Sequence, residues 1–159
     1  MKLIAAADKN WSIGKDGGLL CHMPRDQKFF KEQTLGKTVV MGRKTLDSLP
    51  GGKPLPGRTN VVLTRDENFH REGCIVIHSI EELLSGWKSD DVMVIGGGSL
   101  YKELLPYCDT CYITRIDKEF EADTVMPDLD RRSEFEMVWQ SEVQCEKGTQ
   151  YRFTRYERK

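Results

Sequence analysis

What this chain lacks narrows its function before any motif is read. It has no apolar stretch approaching the roughly 18 residues that a membrane-crossing helix needs. Five apolar residues follow Lys2 before Asp8 intervenes, too few for the apolar centre of a secretion signal. Neither charge is in surplus: 24 Lys and Arg against 25 Asp and Glu leave a net charge of -1, so no overall field draws in nucleic acid or an anionic membrane. Repeats, low-complexity tracts and linker-like runs are absent. Cys108 and Cys111 form a lone C-x-x-C with no second pair or clustered His to complete a zinc site. The five cysteines, Cys21, Cys74, Cys108, Cys111 and Cys145, are an odd set that suits buried or half-buried free thiols in a reducing compartment better than a disulfide framework. These absences leave one soluble, cytoplasmic domain over residues 1–159, without a metal, acting on a small neutral or mildly anionic ligand. A chain of this length buries roughly 70 % of its unfolded surface.

What is present is alternation. Apolar runs of strand length recur at residues 3–7, 38–41, 60–63, 74–77, 92–95 and 111–116, most of them rich in Val and Ile. Helix-like stretches lie between several of them, at residues 25–35, 43–49, 80–87 and 99–105. Strands apolar on both faces, alternating with helices, predict an α/β domain with a largely parallel sheet covered on both sides. The last third differs: residues 135–144 and 151–157 flank Glu146-Lys147-Gly148-Thr149, which predicts a terminal antiparallel hairpin.

In such sheets ligands sit beyond the carboxyl ends of the strands. Gly96, Gly97 and Gly98 occupy one such end, where side-chain-free positions let backbone amides approach a bound pyrophosphate. A tight turn needing positive φ explains them equally well. A second junction runs Met41-Gly42-Arg43-Lys44-Thr45, with two cations at a helix start, where the macrodipole opposes them. An anion docking there relieves the conflict; a solvated pair of surface cations is the alternative. Thr64-Arg65 repeats the pattern after the next strand.

Asp26 falls in the first turn of a helix begun by Pro24, with Phe30 one turn on and so on the same face. A carboxyl against an aromatic ring gains a raised pKa, as a proton donor requires. An ordinary helix-start acid accounts for the same residue.

The chain carries Leu3-Ile4-Ala5-Ala6, Trp11-Ser12-Ile13-Gly14, Met23-Pro24-Arg25-Asp26, Phe30-Lys31, Val40-Met41-Gly42-Arg43-Lys44-Thr45, Leu55-Pro56-Gly57-Arg58, Ile95-Gly96-Gly97-Gly98-Ser99-Leu100-Tyr101, Thr114-Arg115-Ile116 and Ala122-Asp123-Thr124. In that order and spacing the motifs resemble the dihydrofolate reductases, over essentially the whole chain. The resemblance implies a mixed, mostly parallel eight-stranded sheet flanked by about four helices with the C-terminal antiparallel hairpin. It also implies reduction of 7,8-dihydrofolate to tetrahydrofolate by hydride transfer from NADPH to C6, with a proton delivered to N5.

Carried onto this sequence, the resemblance makes Asp26 the group that binds the pterin and supports N5 protonation, braced by Thr114. Ile4, Ala5, Phe30, Leu49 and Leu55 would wall the pterin and benzoyl rings, and Arg58 would take the glutamate carboxylate. For NADPH, Ala6 and Ile13 would meet the nicotinamide carboxamide, and Gly14, Lys15, Asp16, Gly17, Gly18 and Leu19 would close over it. Ile95, Gly96, Gly97, Gly98, Ser99, Leu100 and Tyr101 would hold the pyrophosphate, through a cis Gly96–Gly97 peptide, with Thr45 beside them. Arg43, Lys44, Thr64 and Arg65 would grip the 2′-phosphate, and His78 would lie near the adenosine. Dihydrofolate and folate-like inhibitors are the implied ligands of a monomer. Two positions depart from the family pattern: Cys21 replaces a tryptophan beside the pterin, and Gln27 is polar where many relatives are apolar. Gly17-Gly18 predicts an unusually loose covering loop.

Overall fold

Strands that are apolar on both faces need cover on both faces, and the order of elements supplies it. The computed structural model describes residues 1–87 and 91–159. In chain order the strands are β1 (Lys2–Ala7), β2 (Ser12–Gly14), β3 (Thr38–Gly42), β4 (Thr59–Leu63), β5 (Cys74–Ile77), β6 (Val92–Gly96), β7 (Thr110–Ile116), β8 (Thr124–Val125), β9 (Phe135–Gln140), β10 (Gln144–Glu146) and β11 (Thr149–Arg158). The helices are α1 (Pro24–Thr34), α2 (Arg43–Ser48), α3 (Ile80–Gly86) and α4 (Gly98–Leu104).

Across the main sheet the order is β10-β11-β7-β1-β6-β3-β4-β5. Every pair from β7 to β5 is parallel, whereas β11 runs antiparallel to β7. Pairing with β11 is shared by β10 at one end and β9 at the other, so the sheet is eight strands wide. One core cluster joins Leu83 of α3 with Leu100 and Leu104 of α4 against Leu3, Val40 and Val94. A second joins Leu46 of α2 and Phe29 and Phe30 of α1 against Ile4, Val39 and Met93. Alternation along β1 and β3 therefore sends successive side chains to opposite layers.

Two features differ from the sequence expectation. The single strand predicted over 135–144 is two strands, because Ser141 interrupts the ladder: its amide donates to the Phe153 carbonyl at 2.8 Å, and its hydroxyl accepts from the Phe153 amide at 3.0 Å. A small second sheet, β2 with β8, has no counterpart in the sequence reading; strands of three and two residues are too short to show a period. Cys108 and Cys111 are buried free thiols, as expected, and burial pushes Cys108 up to about 12.

Candidate active site

The carboxyl ends of β1, β6, β3, β4 and β5 lie side by side, and most of the singled-out residues fall on or just after them. Ile4, Ala5 and Ala6 are on β1, paired with Tyr112, Ile113 and Thr114 of β7. Thr114 is thereby fixed on a buried central strand and faces α1. Its hydroxyl donates to Asp26 Oδ1 at 2.5 Å, joining positions 88 residues apart.

Asp26 reaches this place because Pro24 starts α1 and the helix packs its aromatic side against the sheet. Phe29 stacks on Phe153 of β11, with ring centroids 4.6 Å apart and planes at 27°. Phe30, Leu49, Leu55 and Ile95 gather around Ile4 in the second core cluster, the apolar wall expected beside the acid. Burial, offset by the Thr114 hydrogen bond and reinforced by the charge of Glu146, raises the Asp26 carboxyl to about 6. Ala5 does not join that wall. Its methyl packs on the opposite cluster, so toward the α1 side it offers backbone only.

Arg58 stands at the outer end of the wall. Its Nε donates to Thr34 Oγ1 at 3.1 Å and its Nη1 to the Pro56 carbonyl at 2.7 Å. The segment is stapled by Asn60, buried in β4, whose amide group exchanges hydrogen bonds with both backbone groups of Leu55 at 2.9 Å and donates to the Arg58 carbonyl at 3.1 Å. Asn60 was not singled out from the sequence, although a polar amide inside a Val-rich strand run is a signal in itself.

At the other end, β6 slips against β3: Val40 pairs with Val94 but Met41 with Gly96, which leaves Ile95 as an extra residue before the glycine turn. The Gly96–Gly97 peptide is cis, as expected, and Gly96 has φ 129°, in the region that favours glycine. A Cβ on Gly96 would lie 3.4 Å from both Thr45 Oγ1 and the Tyr101 hydroxyl, so Thr45 borders the turn. Tyr101 donates its hydroxyl to the Ile4 carbonyl at 2.7 Å, tying α4 to β1. Gly98 has a different neighbour: a Cβ there would sit 2.5 Å from the Val125 carbonyl of β8. Ser99 and Leu100 continue α4 behind it.

Arg43 and Lys44 open α2 with no acid in its first turn and no side-chain cap. Arg43 is partly answered by Asp66, at 3.2 Å, and lies over the Phe69 ring. Thr64 and Arg65 follow β4, in the register that pairs Gly42 with Leu63. His78 follows β5 and meets the Thr64 carbonyl through Nδ1 at 2.9 Å. Its own amide donates to Glu82, whose amide is capped by the Ser79 side chain, so the start of α3 holds His78 in place.

The covering segment holds a defined turn. Asp16 and Gly17, both at positive φ, form a tight turn between Lys15 and Gly18, whose amides and carbonyls exchange hydrogen bonds. Asp123 Oδ2 accepts from the Asp16 amide at 2.9 Å, Lys15 pairs with Glu121, and Ile13 and Gly14 belong to β2. Leu19 stays exposed. Cys21, half-buried, has its thiol held up by burial and by Asp26, and Gln27 turns outward to His22 Nδ1 at 3.0 Å.

Fold and site together define the class: an α/β enzyme with a row of glycine- and cation-bearing strand ends at one side and an acid set in an apolar wall at the other. Comparison with known proteins narrows this. The family model described as dihydrofolate reductase matches residues 1–158. The dihydrofolate reductase of Bacillus subtilis is 39% identical, with 100% of this chain and 95% of that protein covered. Dihydrofolate reductase type 3 of Salmonella typhimurium is 46% identical over 80% of this chain and 78% of its own. Among solved structures, dihydrofolate reductase from Enterococcus faecalis, complexed with NADP(H) and RAB-propyl, superposes with a TM-score of 0.89 at 41% identity, covering 99% of this chain and 95% of that one. The chain belongs to the dihydrofolate reductase family and is an oxidoreductase.

Proposed function

We propose that the chain reduces 7,8-dihydrofolate to 5,6,7,8-tetrahydrofolate, with a hydride passing from NADPH to C6 and Asp26 supporting protonation at N5. The observation that carries this reading is the Asp26–Thr114 pair at 2.5 Å beside the apolar wall, with the carboxyl raised to about 6. An acid poised near neutral pH both binds a protonated ring and helps move its proton.

The residues present fit a phosphorylated dinucleotide. Gly96 and Gly97 leave open backbone beside Thr45 Oγ1, and Arg43, Lys44 and Arg65 stand at adjacent strand ends. When bound, NADPH supplies the hydride. In the proposal, the segment Ile95 to Tyr101 holds the pyrophosphate, Arg43, Lys44, Thr64 and Arg65 the 2′-phosphate, and His78 the adenosine end. Ala6 and Ile13 orient the nicotinamide and residues 14–19 exclude water. Ile4, Phe30, Leu49 and Leu55 orient the rings, the Ala5 backbone borders them, and Arg58 forks onto the glutamate tail. The chain is taken as a cytoplasmic monomer with dihydrofolate and folate-like inhibitors as ligands. No helix among the described residues is long and apolar enough to cross a membrane.

The test follows NADPH oxidation with dihydrofolate in Asp26→Asn. Turnover should fall by about 10² or more at neutral pH, and by less at acid pH, where solvent protonates the substrate. Unchanged turnover at neutral pH would remove Asp26 from the mechanism.

A further inference from the structure

The first turn of α1 presents an amide that nothing nearby in sequence satisfies. A helix leaves its first four amides without intrahelical acceptors, and Met23 at the N-cap provides no side-chain acceptor. The acceptor comes from 121 residues away: Glu146 Oε1 takes the Arg25 amide at 3.1 Å. Beside it, Gln144 Oε1 accepts from Arg25 Nη1 at 3.3 Å, and Tyr151 of β11 donates its hydroxyl to Glu146. Arg25 immediately precedes Asp26, so the β10–β11 hairpin grips the helical turn that carries the acid, by main chain and side chain together.

We infer that Glu146 is a positioning residue for Asp26: it caps the first turn of α1 and sets a fixed negative charge beside the acid. The inference rests on the assignment of Asp26 as the acid of the proposed reaction.

The charge is dependable because the Tyr151 hydroxyl, followed by the Arg25 amide, holds the Glu146 carboxyl below its usual range. Asp26 itself is faced by Thr114 from β7 and by Glu146 from β10. Tyr101 of α4, Tyr151 of β11 and Cys21 of the loop before α1 all feel its charge. The cations of this corner, Arg25 and Lys147, act on Glu146. Burial is the larger cause of the raised Asp26 carboxyl, and Glu146 adds to it. A neutral acceptor would also satisfy the Arg25 amide, without the favourable charge–dipole contact at the helix start. A carboxylate in that place also opposes ionisation of Asp26 and so keeps the acid protonated to higher pH.

Two variants separate these contributions. Glu146→Gln keeps an acceptor for Arg25 and Tyr151 and removes only the charge, whereas Glu146→Ala removes both. Single-turnover hydride transfer is measured against pH, alongside the thermal unfolding midpoint of each variant. In Glu146→Gln the pH at which the rate falls to half should move down by roughly 0.2 to 0.5, the effect of one charge acting through a mostly aqueous path. Glu146→Ala should show the same direction together with a lower unfolding midpoint. An unmoved half-rate pH in Glu146→Gln overturns the inference, whatever happens to thermal stability. Asp26→Asn in the same assay locates the failure: if it keeps the parent profile, the acid assignment is at fault rather than the cap.

Discussion

At the scale of the residue, the acid proposed for the reaction is a burden to the fold. Burial favours the protonated form of Asp26, with its carboxyl at about 6 against an ordinary 3.8. Its contribution to stability is therefore complete below about 3.8 and is lost as pH rises through about 6. At pH 8 the ionised carboxyl costs on the order of 2–3 kcal/mol, since each tenfold change in proton affinity is worth about 1.4 kcal/mol. Asp26→Asn should thus unfold at a higher temperature than the parent at pH 8, with the difference vanishing near pH 4; a parent equally stable or more stable at pH 8 would contradict the burial argument. Arg58 makes a second residue-scale case, since its Nε and Nη1 are spent on Thr34 and Pro56 and only a guanidinium has donors left over. Arg58→Lys should raise the KM for dihydrofolate roughly tenfold or more. A dihydropterin without the glutamate tail should be turned over as before, and an equal loss on both substrates would detach Arg58 from the tail.

At the scale of the element, two of the three glycines at the end of β6 have separate tasks. Gly96 takes a positive φ beside Thr45, while Gly98 admits the Val125 carbonyl so that the short β8 can close against α4. Gly98→Ala should lower stability by about 1–3 kcal/mol through this overlap, measured by denaturant unfolding. A neutral outcome would mean that β8 moves away without cost. The sequence made Gly96 and Gly98 look alike because their difference lies in a partner 27 or more positions away. By the same physics, the parallel strands were legible where Val and Ile runs end at Gly42 or Gly96. The Asp26 acid was readable locally only as a choice between a donor and a helix-start charge, until the resemblance added Thr114. Glu146 and the β2–β8 pair escaped because their partners lie far along the chain and leave no period or composition bias, whereas Asn60 bonds locally to Leu55 and Arg58 and showed only as a polar amide in an apolar run.

At the scale of the whole molecule, ligand and fold are coupled by mass action. NADPH at about 100 times its dissociation constant should stabilise the chain by about 2.7 kcal/mol, or roughly 5–10 °C in Tm for a domain of this size. NADH should protect less, and Arg65→Ala should narrow the gap between the two cofactors. If the gap persists in that variant, the cationic strand ends are not where the 2′-phosphate binds.

The placement of β11 bears on synthesis. This strand follows every other in the chain, yet it is inserted between β7 and the outer edge, and its Phe153 and Tyr151 support α1 and Glu146. A nascent chain still threaded in the ribosome exit tunnel can assemble the parallel layers and the nucleotide half. It must wait for emergence of β11 before the half that holds Asp26 takes shape. Reductive competence should accordingly appear only once β11 has left the tunnel, instead of growing steadily with chain length.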